Sequence, residues 1–265
     1  MKIITLGPRG TYSHLAVQKF NKKAEVFFEN TISEVLRIFK VKKNYDFAIV
    51  PFDNIIGGIV SETFDAMYDF DLKIYDSLDL EIHHCLASKK RKFDKICAHS
   101  QALVQCKNFI SKKYPKIILQ ATDSNASAGI LAQQDDKIAA ILSYEGAKMY
   151  DLKIRHKNIE DFKGNKTKFW MIGKKANLKK GKFTSMMILP RCNRAGVLLK
   201  LLTPFNYLDI SLTKLSSRPA SGRAGEYIFY IECEGDIRDQ KLQELLKILK
   251  TGDLIEELKI FGSYN

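Results

Sequence analysis

The first two thirds of the chain alternate short apolar runs with stretches of helical character. Six runs up to about residue 173 have the length and composition of β-strands: KIITLG, YDFAIVPF, LDLEIHHCLA, KIILQAT, KIAAILS and KFWMIG. Each of them except the last leads into a loop or a helix. Alternation of this kind predicts an α/β fold with largely parallel sheets. With 45% hydrophobic residues among 265, the chain can bury one large core or two modest ones.

The pattern changes after the charged segment KKANLKKGK (residues 174–182), which has no apolar periodicity and predicts an interdomain linker. The following segments read in order as strand, helix, strand, strand, helix and strand: FTSMMILP, AGVLLKLLTPF, DISLTKLSSRP, EYIFYIECEG, DQKLQELLKILK and LIEELKIFGSY. In the second helix Leu242, Leu245, Leu246 and Leu249 fall on one face. The β-α-β-β-α-β order predicts a separate ferredoxin-like α+β domain.

The formal net charge of +13 favours an anionic partner. The lysines are scattered through SKKRKFDK, SKKYPK and KKANLKKGK without aromatic interleaving, and no nucleic-acid signature accompanies them. We therefore expect a small anionic substrate rather than nucleic acid. The N-terminus has only a short apolar run before Gly7 and Pro8, with no signal-peptide core, and no stretch is long enough to span a bilayer. A soluble cytoplasmic protein is the expectation.

The five cysteines are an odd number with no close pair, and each lies in or beside an apolar run. This pattern is typical of buried free thiols in a reducing compartment. His83, His84 and Cys85 form the one cluster that suggests a metal. If they lie on a strand, neighbouring side chains point to opposite faces and the three cannot easily converge, so we expect no metal site.

Polar residues stand at four predicted entries to a loop or helix: GPRGTYSHLA, VPFDN, HSQALVQC and ATDSNASA. Each entry by itself is more typical of a helix cap or turn than of a ligand contact. Ligands in open α/β sheets nevertheless collect at the carboxyl ends of strands, so four entries together with NKTKF favour a shared polar cleft. The candidates at the entries are Thr11, Ser13, Asp53, Asn54, His99, Ser100, Gln101, Thr122, Asp123, Ser124 and Asn125.

Five motifs are similar to the successive motifs of prephenate dehydratase from residue 1 to about 173: GPRGTYSHLA, VPFDN followed by Gly58 and Val60, HSQALVQC, AAILSYEGAKMYDL and NIEDFKGNKTKF. RAGVLLKLLTPF, SSRP and EYIFYIECEG resemble the regulatory ACT domain that follows in that family. The resemblance implies a two-lobed catalytic domain like that of periplasmic binding proteins, spanning residues 1–175. Lobe one would comprise about 1–78 plus 155–173, and lobe two about 79–154. Residues 176–183 would form the linker and 184–265 the ACT domain.

The family resemblance implies decarboxylating dehydration of prephenate to phenylpyruvate in phenylalanine biosynthesis. Prephenate is a dianion whose loss of carbon dioxide and water makes its ring aromatic, so the reaction needs no cofactor. The enzyme must anchor two carboxylates and assist the departure of the C4 hydroxide, a contribution of ~10² to 10⁴-fold for a well-placed proton donor. By resemblance Thr167 is the catalytic residue, and we expect its hydroxyl to donate to the leaving oxygen while nearby cations stabilise the developing charge.

The resemblance assigns substrate binding to residues that match the family motifs, and three positions depart from them. Lys168 replaces an arginine and cannot grip a carboxylate with two parallel hydrogen bonds. Asp53-Asn54-Ile55 stands where the family usually reads Glu-Asn-Ser, so that Ile55 replaces a serine, and His99-Ser100-Gln101 lacks a proline typical of the family. The predicted substrate-binding residues are Thr11, Ser13, Asp53, Asn54, His99, Gln101, Ser124, Asn165, Lys168 and Phe169. In an extended segment Lys166 and Lys168 share the face opposite Thr167, so Lys166 is predicted to lie at the surface.

In the C-terminal domain the resemblance implies feedback inhibition by phenylalanine, bound at an interface between two such domains. A homodimer or homotetramer is therefore the expected assembly. Ser216 replaces the family's usual glutamate. The predicted effector residues are Gly196, Val197, Leu198, Leu199, Ser217, Arg218 and Pro219.

Two other functions fit the same residues. Arogenate dehydratase would act on the amino analogue of prephenate, with discrimination at the pyruvyl or aminopropionyl end near Ser124 and Asn125. A non-catalytic amino-acid sensor would use the same cleft without chemistry; Thr167 disfavours it, whereas Lys168 and Ile55 keep it open.

Overall fold

A computed structural model describes residues 1–220, 223, 225–251 and 253–265 of the chain. The chain divides into two compact units. The first unit comprises Met1–Phe64 and Leu78–Phe169, and the second comprises Asp65–Ser77 and Trp170–Asn265. Among the described residues, no helix combines the length and the apolarity that crossing a membrane requires.

The first sheet has the strand order β2-β1-β3-β11-β5, with the short strand β4 beside β3. Strands β2 and β3 both run parallel to β1, whereas β4 forms an antiparallel hairpin with β3. The elements in chain order are β1 (Lys2–Leu6), α1 (Tyr12–Phe20), β2 (Glu25–Glu29), α2 (Ile32–Val41), β3 (Phe47–Asn54), β4 (Gly58–Ile59), α3 (Ser61–Phe70), β5 (Lys73–Glu81) and, much later, β11 (Lys166–Gly173).

The second sheet has the order β10-β6-β9-β7-β8 and is mixed, which corrects the prediction of largely parallel sheets. Strand β7 pairs in parallel with β8 and β9, but β6 is antiparallel to both β9 and β10. Its elements are β6 (Cys85–Ser88), β7 (Lys95–His99), α4 (Ser100–Gln105), α5 (Lys107–Lys113), β8 (Ile118–Thr122), α6 (Asn125–Gln134), β9 (Ile138–Leu142), α7 (Tyr144–Met149) and β10 (Lys153–His156).

Both faces of the inner strands β7 and β9 are buried, and these strands are apolar at odd and even positions alike. Ile96 and Ala98 pack in one cluster with Ala102 of α4 and Ile110 of α5. Their neighbour Cys97 packs in the other cluster with residues of α6 and α7. Strands covered by helices on both faces read as continuous apolar runs, which is why the segments around β7 and β9 lack polar alternation.

The predicted strand LDLEIHHCLA is divided in the structure between β5 and β6, so its prediction as one strand was wrong. Residues between Glu81 and Cys85 pair instead with the segment that returns to the first sheet. The Ile82 N–H donates to the Asn165 carbonyl at 2.9 Å, and the His84 N–H donates to a Glu160 carboxylate oxygen at 2.9 Å. The return lies between β10 and β11, slightly after the predicted residue 155.

The C-terminal third has the predicted β-α-β-β-α-β order. Strands β12 (Phe183–Pro190), β13 (Leu212–Pro219), β14 (Tyr227–Glu234) and β15 (Ile255–Tyr264) form an antiparallel sheet of order β13-β14-β12-β15. Helices α8 (Val197–Tyr207) and α9 (Gln240–Thr251) contribute to its core. The four leucines predicted on one face, Leu242, Leu245, Leu246 and Leu249, are all buried.

The segment predicted as a linker, residues 174–182, is described in full; it contains no helix or strand but is held to the rest of its unit. The Arg238 guanidinium donates to the carbonyls of Leu178 at 2.6 Å and Lys179 at 2.7 Å. The buried carboxylate of Asp236 accepts from the Gly181 N–H at 2.6 Å and from Arg238 at 2.6 and 2.8 Å. We call these two residues with Leu178–Gly181 the linker clamp. Because of these hydrogen bonds, the stretch has fixed partners within the second unit.

Candidate active site

A cavity of about 780 Å³ lies in the first unit and is lined by element ends from both of its sheets. Four helix entries meet there: α1, α2, α4 and α6. Each begins with a side chain that accepts a hydrogen bond from a backbone N–H of the first turn, and each of these cap residues also lines the cavity. The caps are Thr11, Thr31, His99 and Ser124, with N···O or N···N distances of 3.0 to 3.3 Å. The same four side chains therefore cap the helices and line the cavity.

The positive charge at the cavity lining comes from the N-terminal ends of helices rather than from basic side chains. Among the described residues that line the cavity there is no lysine or arginine, and the charged ones are Glu62 and Asp123. The Glu62 carboxylate accepts the Ser33 N–H of α2 at 2.9 Å, a placement that the positive end of that helix stabilises. Backbone N–H groups at helix starts favour anions, so the four entries give the cavity affinity for negative charge without the help of a basic side chain.

Thr167 lies at the start of β11, is 8% exposed and lines the cavity. Its Oγ1 accepts a hydrogen bond of 2.9 Å from Asn54 Nδ2, which also lies 2.9 Å from Asn165 Oδ1. The orientation of the Asn54 amide is set on its other side, where Oδ1 accepts the N–H groups of Ile56 at 3.1 Å and Gly57 at 2.9 Å. Because the threonine oxygen accepts from Asn54, its own proton remains to donate to a ligand.

Six of the ten predicted substrate-binding residues line the cavity together with Thr167: Thr11, Asn54, His99, Gln101, Ser124 and Asn165. Ser13, Asp53, Lys168 and Phe169 lie outside the lining. Side chains alternate along a strand, so Asp53 points away from the side of Asn54 and Lys168 from the side of Thr167. Ser13 and Phe169 are buried at 4% and 1% exposure. Lys166 is exposed, as predicted, and lies 3.7 Å from Glu81.

Several residues of the lining were not singled out as binding candidates from the sequence, among them Tyr12, Glu62, His84 and Gln105. Three of these hold the segment that crosses between the sheets. His84 Nε2 lies 2.9 Å from Gln105 Oε1, and the Tyr12 hydroxyl donates to the His83 carbonyl at 2.6 Å. The sequence signal was the adjacent pair of histidines, which we interpreted only as a possible metal cluster.

The two histidines have opposite electrostatic environments. His84 is almost fully buried, and this burial lowers the pKa of its imidazole and favours the neutral form. His83 is exposed, and its hydrogen bond of 2.8 Å to the buried Glu160 carboxylate raises the pKa of its imidazole. The histidines contact different partners, and no group of three or more His, Cys, Asp or Glu residues in the described part of the chain could hold a metal ion.

Four of the five cysteines are buried and free, as expected, but Cys192 is exposed. Burial raises the pKa of the Cys85 thiol and, to about 12, that of Cys233. These thiols stay protonated at neutral pH and act as small apolar side chains.

The predicted effector segments lie in the second unit. Gly196 precedes α8 with φ of 81°, a left-handed conformation that glycine adopts without strain. Leu199 is 71% exposed. Arg218 is on strand β13 and grips the Asp65 carboxylate through two hydrogen bonds of 2.6 Å. Arg218, predicted as an effector residue, therefore already has a bidentate partner within its own unit.

Two sheets whose helix entries and strand ends line a shared cavity, followed by an antiparallel α+β unit, define an α/β protein with a candidate site for a small ligand. Comparison with known proteins specifies the class further. The profile of the prephenate dehydratase family matches residues 3–177. The prephenate dehydratase of Methanocaldococcus jannaschii is 36% identical over 249 residues, which cover 92% of this chain and 91% of that protein. The chain belongs to the prephenate dehydratase family, and the prediction of a dehydratase of the lyase class is confirmed.

Solved structures show the same fold over the whole chain. The prephenate dehydratase from Arthrobacter aurescens, solved in complex with L-Phe, has a TM-score of 0.90 at 22% identity and covers 100% of this chain and 90% of that one. A protein described as a novel type of quorum quenching acylase has a TM-score of 0.87 at 20% identity, covering 100% and 97%. At such low identity these similarities show the fold alone.

Proposed function

We propose that the chain converts prephenate to phenylpyruvate, with the C4 hydroxide leaving toward Thr167 as carbon dioxide leaves from the ring carboxylate. The bond from C1 to its carboxylate breaks and its electrons form a double bond from C1 to C2. The C2–C3 double bond shifts to C3–C4, and the bond from C4 to oxygen breaks with its electrons leaving on the oxygen. Thr167 would donate its proton in a hydrogen bond to the departing oxygen. The hydrogen bond from Asn54 to Thr167 carries this proposal, because the threonine oxygen accepts in it and its own proton remains to be donated to the departing oxygen.

Anchoring of the two substrate carboxylates is assigned to the helix entries rather than to basic side chains. Thr11, His99, Gln101 and Ser124 line the cavity at three of these entries. Lys168 lies outside the lining, so the arginine grip that the family motif suggested finds no support here. The loss of the serine at Ile55 also matters less, because that side chain is 60% exposed and its backbone N–H donates to the Lys166 carbonyl.

The departing hydroxide must also gain a proton to leave as water. Glu62 and Asp123 are the acidic side chains of the described lining, and they are the candidates for supplying it. Separate Glu62→Gln and Asp123→Asn variants distinguish the two, since the variant that lacks the donor should have the lower kcat with prephenate.

The two-lobed and regulatory parts of the prediction are also proposals. We assign the two sheets of the first unit to two lobes, with domain limits as predicted: residues 1–175, a linker at 176–183 and an ACT domain at 184–265. Phenylalanine would bind between ACT domains of two chains in a cytoplasmic homodimer or homotetramer and inhibit turnover. Support comes from the β-α-β-β-α-β order and from the open surroundings of Gly196, where no described atom would lie within 4 Å of an added Cβ.

Of the residues predicted to hold the effector, Gly196, Val197, Leu198 and Leu199 begin α8, and Ser217, Arg218 and Pro219 end β13. Arg218 already has Asp65 as its partner. We therefore assign the charged ends of phenylalanine to backbone groups near Gly196 and to Ser217, with Arg218 positioning β13. A Gly196→Ala variant should bind phenylalanine about five- to tenfold more weakly, because alanine resists the left-handed conformation by ~1 kcal/mol.

A second candidate function, arogenate dehydratase activity, is favoured by the two acidic side chains of the described lining, Glu62 and Asp123. Glu62 and Asp123 suit an ammonium group better than a keto group, and the described lining supplies no basic side chain to oppose it. The deciding experiment incubates purified protein with prephenate and, separately, with arogenate, with and without phenylalanine, and identifies the products. Phenylpyruvate from prephenate supports the main proposal; phenylalanine formed from arogenate alone would replace it with the second. If neither prephenate nor arogenate gave a product, the non-catalytic amino-acid sensor would be the remaining interpretation.

A further inference from the structure

A second cavity of about 430 Å³ lies in the first unit, where the chain crosses between the two sheets. Both crossing segments contribute to it: His83 and Cys85 from the first, Lys157 and Asn158 from the second. Helix α1 closes it on the side of the first sheet, and the start of α7 closes it on the side of the second. A ligand bound there would contact both sheets and both crossings at once.

The wall of this second cavity is mostly apolar. Leu15 and Cys85 are buried, Leu80 is half-buried, and the rings of Tyr12 and Tyr144 complete the surface. Because burial keeps the Cys85 thiol protonated, it adds no charge to this wall. A flat ring fits such a surface better than a strongly hydrated group does, since aromatic groups bury much apolar area and stack on tyrosine.

The rim of the second cavity is basic, in contrast to the main cavity. Lys19, Lys22 and Lys157 are exposed at its edge, and Lys157 Nζ lies 5.0 Å from the centroid of the Tyr144 ring. Two carboxylates are also present, but that of Glu81 lies 3.6 Å from His83 and 3.7 Å from Lys166. Glu145 is the other. Three lysines against these two acids favour an anion of low charge.

Among the described residues, Tyr12 alone lines both cavities. Its hydroxyl donates to the His83 carbonyl, and its ring stands edge-on to His84 with 6.0 Å between centroids. His84 lines the main cavity. A ligand in the second cavity would therefore press on a wall that the proposed active site shares.

We propose that the second cavity is a binding site for a small aromatic monocarboxylate, with the ring against Leu15, Leu80 and Tyr144 and the carboxylate among Lys19, Lys22 and Lys157. A ligand bound in the second cavity would affect the main cavity through Tyr12. The site is separate from the residues assigned to the dehydration, and its binding does not depend on that assignment.

Binding of 4-fluorobenzoate to the full chain, followed by ¹⁹F NMR, tests the proposal. We expect a Lys22→Gln/Lys157→Gln variant to bind the probe about fivefold more weakly than the unmodified chain, since each partly exposed ion pair contributes modestly. The matched control is Lys112→Gln/Lys153→Gln, which removes the same charge from exposed positions that line neither cavity. It should bind as the unmodified chain does.

Equal weakening in both double variants would mean that the probe senses net charge alone, and an unchanged affinity in the first would place the probe elsewhere, including the main cavity. Either result overturns the proposal. Circular dichroism checks that both variants are folded. Turnover of prephenate without the probe is measured on the same samples. If turnover is absent while lysine-dependent binding persists, the proposed function fails and the second site stands.

Discussion

The cavity at Thr167 and the segments predicted to bind phenylalanine differ in how much of their surroundings one chain supplies. Thr167 is 8% exposed, and its hydroxyl has a hydrogen-bond partner, Asn54, whose own amide is held by two backbone groups. Leu199 is 71% exposed, and no described residue approaches the outer side of Gly196. A preorganised polar site can be altered by changing a partner in the same chain, whereas an open segment needs further surface before it encloses a ligand.

The largest expected effect is the loss of the Thr167 hydroxyl. A Thr167→Ala variant should lower kcat by ~10² to 10³-fold with little change in KM, because the lost hydrogen bond forms with the departing oxygen in the transition state. Steady-state kinetics with prephenate measure this. The control is Thr167→Ser, which keeps the hydroxyl and should retain most of the activity. Equal kcat in the alanine variant and the unmodified chain would end the catalytic role of Thr167.

Asn54 provides the next test, since its side chain joins Thr167 to the hairpin turn. An Asn54→Asp variant keeps an oxygen for the N–H groups of Ile56 and Gly57 but replaces the donor to Thr167 by a second acceptor. The threonine proton would then turn toward the carboxylate, and we expect kcat to fall by ~10²-fold while the fold is retained.

Thermal unfolding of the Asn54→Asp variant separates the catalytic effect from damage to the turn. A Tm near that of the unmodified chain with reduced kcat agrees with orientation of Thr167. A full kcat would show that the hydrogen bond from Asn54 has no part in the reaction.

In the second unit, we expect the hydrogen bonds of the linker clamp to contribute to the free energy of unfolding. An Arg238→Gln variant leaves the buried Asp236 carboxylate with fewer donors, and the free energy of unfolding should fall by about 1 to 3 kcal/mol at neutral pH. Arg238 holds the pKa of Asp236 well below its unfolded value of 3.8. The clamp therefore stabilises the fold above that pH and loses this contribution as the pH falls below it.

Urea unfolding at several pH values should accordingly show the difference between the Arg238→Gln variant and the unmodified chain shrinking below about pH 4. The control is Arg191→Gln, whose exposed pair with Asp253 should contribute less than about 1 kcal/mol. A difference that stays constant with pH would mean that the pairing of Arg238 with Asp236 is not its source.

The smallest expected effect concerns Arg218 and Asp65. Their side chains are 35% and 46% exposed, so a double-mutant cycle of Asp65→Asn and Arg218→Gln should give a coupling of about 0.5 to 1 kcal/mol in the free energy of unfolding. The exposed pair Lys2 and Glu25, 3.9 Å apart, should give a coupling near zero. If the cycle of Asp65 and Arg218 gave no coupling, Arg218 would again be a candidate to bind the effector as a free cation.

Much of the fold could be predicted from apolar patterns, but several short strands were missed. The order of all six elements of the C-terminal third was predicted correctly because each carries a clear period or a boundary. Strands β2, β4, β7 and β10 were missed, since these short strands lie beside charged or helical segments. LDLEIHHCLA looked continuous because apolar residues continue through the crossing between the sheets.

The candidate site was predictable where a residue is both a helix cap and a lining residue of the cavity, as Thr11, His99 and Ser124 are. It was not predictable for Glu62, which enters the lining through a hydrogen bond to the backbone of α2. No local pattern at Glu62 records a partner 29 positions earlier.

The sequence by itself determined the α/β class and the family and singled out Thr167 as the catalytic candidate, because these depend on periodicity and on motifs whose residues are neighbours in the chain. The tertiary structure decided that NKTKF turns Thr167 rather than Lys168 to the cavity, that Asn54 orients it and that Arg218 pairs with Asp65. The last two contacts join residues 113 and 153 positions apart. Their geometry follows from sheet register and side-chain packing, which distant segments set together.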